Sequence, residues 1–133
     1  MVMLDTNILV YAIRHPDDKI RLRFKPYLGG QLCISSVTYM ELMDGVKRSQ
    51  NIRKNEEALR EMLAGISILP FDTNAAEHAG EIMAVLSLSG KRIGDRDTMI
   101  AGHARSLNLT LITNNTREFE RVPGLHTEDW LER

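Results

Sequence analysis

At 133 residues the chain is long enough for one domain with a real core and too short for two ordinary ones. Hydrophobic residues make up 43% and charged residues 26%, which excludes a disordered polymer, while an aromatic share of 5% leaves the core to Leu, Ile, Val, Met and Ala. No apolar run approaches the roughly 20 residues of a membrane span, a formal net charge of −1 does not by itself announce a nucleic-acid binder, and one cysteine, Cys33, makes neither an internal disulfide nor a zinc cluster.

In chain order, Val2-Met3-Leu4 reads as a short buried strand and Ile8 to Arg14 as the helix after it. His15-Pro16-Asp17-Asp18 is a break, and Asp17 or Asp18 caps a basic helix reaching about Leu28, ended by Gly29-Gly30. Leu32 to Ser35 is a second strand, Ser36 the cap of a helix running to about Ser49, and Glu56 to Ala64 a further helix with Gly65 at its end. Ser67-Ile68-Leu69 is a third strand. Asp72 and Thr73 open a helix from Ala75 to about Ser89, Gly90 to Gly94 is a loop, and a helix follows from Asp97 to Ser106. Leu109 to Thr113 is the clearest strand, a helical turn spans Thr116 to Glu120, and Leu125 to Thr127 is the last strand. Short strands alternating with helices predict an α/β fold: a parallel sheet with helices on both faces. With no linker, repeat or low-complexity tract, we expect residues 1–133 to form a single domain. With no basic leader and apolar segment at the start, and a lone cysteine inside an apolar run, we expect it in the cytoplasm.

Acids recur where strands end. Asp5 follows the first strand, Glu41 lies on the helix after the second, Asp97 opens the helix before the fourth, and Glu118 follows the fourth. In a parallel sheet the loops at the carboxyl ends of neighbouring strands share one crevice, so acids distant in sequence can meet there. Crowded carboxylates must take up protons or share a cation, and oxygen-only ligands suit Mg²⁺ or Mn²⁺. Each acid also has an ordinary explanation. Asp5, with Thr6 and Asn7 behind it, has the chemistry of a helix cap. Glu41 stands three residues after Thr38, and Glu118 three after Asn115, which are capping-box spacings. Asp95 and Asp97 bracket Arg96 at a helix start, where one serves as cap; Asp97 sits nearer the packing face and is the better ligand, Asp95 the supporting acid. Thr113 and Asn114 are the polar residues nearest the crevice after the fourth strand.

His15, His78, His103 and His126 show no metal-ligand spacing, and His103 on its Ala-rich helix reads as a core or interface histidine. Basic groups cluster at Arg21, Arg23 and Lys25, at Lys47 and Arg48, at Arg53 and Lys54, and at Lys91, Arg92 and Arg96. They read first as solvated helix faces; gathered near an acidic cleft they would suit a polyanion.

Four segments together resemble a known family: Met3-Leu4-Asp5-Thr6-Asn7, Ser36 to Leu42, Gly94 to Ala101, and Thr113 to Phe119. In order and spacing they are similar to the motifs of PIN-domain ribonucleases, closest to the VapC toxins of bacterial toxin–antitoxin pairs. The resemblance implies a three-layer fold around about five parallel strands, with Asp5, Glu41 and Asp97 as the core acids and Asp5 and Asp97 holding Mg²⁺, for which Mn²⁺ substitutes. Many PIN domains carry an Asp soon after the Thr of the fourth motif. Here Asn114 and Asn115 stand in those places, and Glu118 resembles the acid that VapC-type relatives use instead. Thr6, Asn7, Thr113, Asn114, Asn115 and Asp95 would support these carboxylates. The resemblance also implies a homodimer, a VapB-type antitoxin, and RNA as substrate: transfer RNA, and in some VapC toxins the anticodon loop of the initiator. Two other readings compete. One is a PIN-like RNA-binding module without activity. The other is a haloacid dehalogenase-like phosphatase with Asp5 as nucleophile, which wants an Asp where this chain has Asn7.

Overall fold

The computed structural model describes residues 1–131. Five parallel strands form one sheet: β1 (Val2–Leu4), β2 (Leu32–Ser35), β3 (Ser67–Leu69), β4 (Thr110–Ile112) and β5 (Thr127–Glu128), in the spatial order β3-β2-β1-β4-β5. Seven α-helices connect them: α1 (Thr6–Arg14), α2 (Ile20–Phe24), α3 (Ser36–Lys47), α4 (Ile52–Leu63), α5 (Thr73–Leu88), α6 (Asp95–Ser106) and α7 (Thr116–Phe119). The central strand β1 is buried at all three residues, pairing Met3 with Cys33 on one side and with Leu111 on the other.

The pleat sends alternate side chains to opposite faces, and each face is covered. Val2, Leu4, Leu32, Ile34 and Ile112 pack with α1 to α4 and Trp130 on one side. Met3, Cys33 and Leu111 pack with α5, α6 and α7 on the other. This two-sided burial explains why the strands read as continuous apolar runs rather than as alternating ones. Cys33 lies fully buried, and burial pushes its thiol up to about 11, so it is inert packing. Helices α5 and α6 approach unusually closely. A Cβ on Gly102 would sit 2.5 Å from the backbone nitrogen of Ala79, so only glycine permits the contact.

The expected α/β fold with five parallel strands is observed, with differences at element ends. The basic helix stops at Phe24 rather than Leu28, because Pro26 cannot continue the α-helical bonding and the chain tightens into a 3-10 turn over Lys25–Tyr27. Asp18 accepts the Ile20 N–H at 3.0 Å. Helix α4 starts four residues earlier than expected, at Ile52, since the Asn51 side chain accepts the Lys54 N–H. Ser35, not Ser36, caps α3: its hydroxyl takes the Val37 N–H, while the Ser36 hydroxyl accepts the Phe71 N–H after β3. The last strand lies at Thr127–Glu128, starting two residues later and ending one later than expected, which leaves Leu125 to pack against the core. His103 is indeed a core residue: 2% exposed, bonded at 2.8 Å to Ser35 Oγ, and set edge-on to Phe71. Among the described residues no helix is long and apolar enough to cross a membrane.

Candidate active site

The chain lays down β1, β2 and β3 moving one way across the sheet, then returns to place β4 on the opposite side of β1. That reversal opens a crevice at the carboxyl ends of β1 and β4, the place where parallel sheets bind ligands. Asp5 and Thr113 are the residues immediately after those two strands.

Asp5 is 3% exposed and caps α1. One carboxylate oxygen accepts the Thr6 N–H at 2.8 Å and the other accepts the Thr113 hydroxyl at 2.8 Å. Cap and crevice acid are therefore the same residue. Burial raises its pKa; the bonds from Thr113 and Thr6 oppose the rise, and the charge of Glu41 adds to it. Thr113, itself fully buried, also accepts the Asn115 N–H, which fixes the turn into α7.

Glu41 projects from α3 toward Asp5. The Thr6 hydroxyl donates to Glu41 Oε1 at 2.8 Å and lies 3.4 Å from the buried Thr38 hydroxyl. Thr6 thus touches the acid of β1 through its backbone and the acid of α3 through its side chain. The second oxygen of Glu41 lies 3.6 Å from the guanidinium of Arg96.

Asp97 stands in the first turn of α6, half-buried. Its pKa is pushed up to about 6, first by burial and then by the charges of Asp5, Glu118 and Glu41. Those three charges are the other candidate acids, so the four carboxylates converge on one cleft. Among the described residues nothing donates a hydrogen bond to the Asp97 carboxylate. Glu118, on α7, accepts a hydrogen bond from the Asn115 side chain at 3.2 Å; Asn115 occupies the cap position of α7, but its side chain bonds Glu118 rather than a backbone N–H of the helix.

Other expected residues are placed elsewhere. Asp95 neither caps α6 nor joins the cleft. Gly94 is the cap residue, with the Thr98 hydroxyl bonded to its carbonyl, and Asp95 is 71% exposed with Arg92 at 3.2 Å. At the first helical position its side chain points along the exposed edge of the turn. Asn7 is exposed and Asn114 half-buried at the β4–α7 junction. Two contributors escaped the sequence reading of the site. Thr38, read only as a capping partner, lies beneath Thr6, and Arg96, read only as one of a basic group, reaches Glu41. No local pattern could have shown the Arg96 contact, because it depends on how α6 docks beside α3.

As the side chains stand, no three His, Cys, Asp or Glu among the described residues are grouped tightly enough to hold a metal ion. The chemistry of the donors nevertheless fits a hard cation: all are carboxylate oxygens, and one acid, Asp97, has its pKa pushed up to about 6 by burial and then by the charges of its neighbours, a cost that a bound cation would relieve. Asp97 is also the acid that no hydrogen bond restrains.

Fold and cleft together define a parallel-sheet protein with a carboxylate cluster at the switch between β1 and β4. The sequence matches the family described as PIN domain over residues 2–125. It is 48% identical over 128 residues to the tRNA(fMet)-specific endonuclease VapC of Shigella flexneri, covering 96% of both chains. Ribonuclease VapC2 of Haemophilus influenzae (strain ATCC 51907 / DSM 11121 / KW20 / Rd) is 43% identical over 129 residues, covering 97% of both. A solved structure of DNA-bound VapBC from Salmonella typhimurium superposes with a TM-score of 0.94 at 42% identity, covering 98% of this chain and 100% of that one. The chain therefore belongs to the PIN-domain family, in its VapC branch. PIN-domain nucleases are metal-dependent.

Proposed function

We propose that this protein is a metal-dependent endoribonuclease, the toxin of a type II toxin–antitoxin pair, which hydrolyses RNA phosphodiesters and so inhibits translation. The observation that carries the reading is the meeting of acids at the carboxyl ends of β1 and β4: Thr6 links Asp5 to Glu41, and Asp97, its pKa pushed up to about 6 first by burial, also feels the charges of Asp5, Glu118 and Glu41. Asp5 and Asp97 would hold the ion, Mg²⁺ with Mn²⁺ as substitute. When bound, such an ion polarises the phosphate and makes water a stronger nucleophile. Thr113 and the Thr6 amide hold the Asp5 carboxylate in one orientation. Glu41, oriented by Thr6, aims the attacking water and accepts its proton. Asn115 orients Glu118 toward the same cleft. Asn7, Asn114 and Asp95 are not needed for these steps.

Transfer RNA is the proposed substrate, and the initiator in particular, as in the relative named for tRNA(fMet). A VapB-type antitoxin is the proposed partner, since solved relatives are VapBC complexes. An apolar groove of about 250 Å³ beside Glu41, lined by Val10, Ile13, Leu42, Val46 and Leu59, would receive part of it. We further propose that residues 1–133 form one domain, that it works as a homodimer, and that it acts in the cytoplasm.

The test is cleavage of total RNA with Mg²⁺ or Mn²⁺, beside EDTA and an Asp5→Ala protein. Cleavage should require metal and Asp5, and sequencing of the cut ends should map them to transfer RNA. Equal cleavage by Asp5→Ala would remove the assignment. Growth arrest on expression, relieved by the same substitution, tests the toxin role separately.

A further inference from the structure

We propose that Arg96 is an RNA-binding residue of the cleft that exchanges partners, resting on Glu41 in the free protein and moving to a substrate phosphate when RNA binds; this rests on the ribonuclease reading above. Three observations carry it. Among the described residues the Arg96 guanidinium is the one positive group in an ion pair with any of the four cleft carboxylates, with its Nη1 3.6 Å from Glu41 Oε2. The pair is loose. A separation of 3.6 Å is an ionic contact beyond ordinary hydrogen-bond length, and the Arg96 side chain is 56% exposed against 21% for Glu41. A pair of this kind is readily exchanged, because the contact is long and water reaches and screens its exposed Arg96 end.

Two arginines beside the start of α6 are committed differently. Arg92 pairs with Asp95 at 3.2 Å, and Arg121 donates to the Arg92 carbonyl at 3.2 Å, tying α7 to the loop before α6. Those contacts lie along the exposed edge of the α6 start. Arg96 instead reaches inward across the cleft mouth, from the residue adjoining Asp97 to the acid on α3. A phosphate brought to the four carboxylates would pass within reach of this guanidinium, whose planar fork matches phosphate oxygens in a way an ammonium does not. Four acids alone repel a polyanion. Arg96 supplies attraction at the point of closest approach, and its pairing with Glu41 keeps it aimed there before the substrate arrives.

The experiment measures binding of a short fluorescein-labelled single-stranded RNA by anisotropy in EDTA, between about 50 and 200 mM salt, for the full chain and for Arg96→Ala, Arg96→Lys, Glu41→Gln and the Arg96→Ala/Glu41→Gln pair. Arg96→Ala should weaken binding about tenfold at low salt and flatten the log Kd against log salt slope by about 0.7, the loss of one phosphate contact on a single strand. Arg96→Lys should keep the slope and recover part of the affinity. Glu41→Gln should tighten binding, and by less in the Arg96→Ala background, because only the arginine-bearing protein has a competitor removed. In steady-state cleavage, Arg96→Ala should raise KM more than it lowers kcat. An unchanged affinity and slope in Arg96→Ala, with normal binding by the parent, overturns the proposal and leaves the ribonuclease reading intact. A Glu41→Gln effect of equal size in both backgrounds overturns the exchange. Failure of the parent to bind or cut RNA overturns the ribonuclease reading and this proposal with it. Should Arg96→Ala melt early, Arg96→Gln, which removes the charge but keeps the side chain's length and helix propensity, carries the slope comparison.

Discussion

Replacing Asp97 by Asn should make the metal-free protein more stable while removing its response to metal. The carboxyl pKa moves from an ordinary 3.8 to about 6, chiefly by burial and then by three neighbouring carboxylates. At about 1.4 kcal/mol per tenfold change in proton affinity, that is roughly 3 kcal/mol against the charged form. Asp97 is only half-buried, so solvent screening reduces the recoverable part to about 1 kcal/mol. For a chain of this length such a gain raises Tm by about 3–5 °C. The sign with pH follows from the direction of the shift. Because the folded pKa lies above the unfolded one, the folded state holds the Asp97 proton more tightly. The stability linked to that proton is complete below 3.8 and is lost as pH rises through about 6. The advantage of Asp97→Asn should therefore vanish near pH 4, open across that interval, and be constant above pH 7. Scanning calorimetry in EDTA from acid to neutral pH measures it. Repeating the scans with Mg²⁺ should raise the Tm of the parent and not that of the variant, since an ion that binds only the folded state stabilises it by mass action. A variant that is less stable than the parent in EDTA at neutral pH, or that gains equally from Mg²⁺, would refute the argument.

Thr113→Val removes the hydroxyl that donates to Asp5 Oδ2 at 2.8 Å at almost constant volume. It should cost about 2 kcal/mol in urea unfolding at neutral pH and, because that bond holds the Asp5 pKa down, move the acid limb of the pH–activity profile upward. Gly102→Ala forces a methyl to within 2.5 Å of Ala79 backbone, which has no rotamer to yield, and should destabilise by about 1–3 kcal/mol; an unchanged unfolding midpoint would show that α5 and α6 separate freely. Trp130 is 2% exposed, with Tyr27 at 5.0 Å and Arg23 over its ring at 5.3 Å. Trp130→Ala should lower stability by about 3–5 kcal/mol in the same assay.

The residues explain why some features were readable in advance and others not. β1 and β2 are legible with their ends because both faces are buried: β1 is apolar throughout and stops before Asp5, and β2 is apolar up to its last residue, Ser35. Asp5 was legible for the same reason. The stop of α2 is also written in the sequence, at Pro26, which cannot continue the α-helical bonding toward Leu28. The Ser35–Ser36 choice had no local answer. Either hydroxyl can cap, and the decision came from the Phe71 N–H, which arrives from the far side of β3 and takes Ser36. Asp95 and Asp97 differ for a similar reason: α6 docks with Asp97 turned to the cleft and leaves Asp95 to Arg92 and solvent.

By itself the sequence determined which segments become strands, the ends of β1 and β2, and that acids stand near strand ends, because hydrophobic runs and capping preferences act over a few residues. The tertiary structure alone decided that β4 lies beside β1 rather than beyond β3. That placement brings Thr113 to Asp5 and α6 to the side of α3, and so joins Asp97, Arg96 and Glu41 in one cleft. Strand order is a property of packing two covered faces, and no local stretch of the chain carries it.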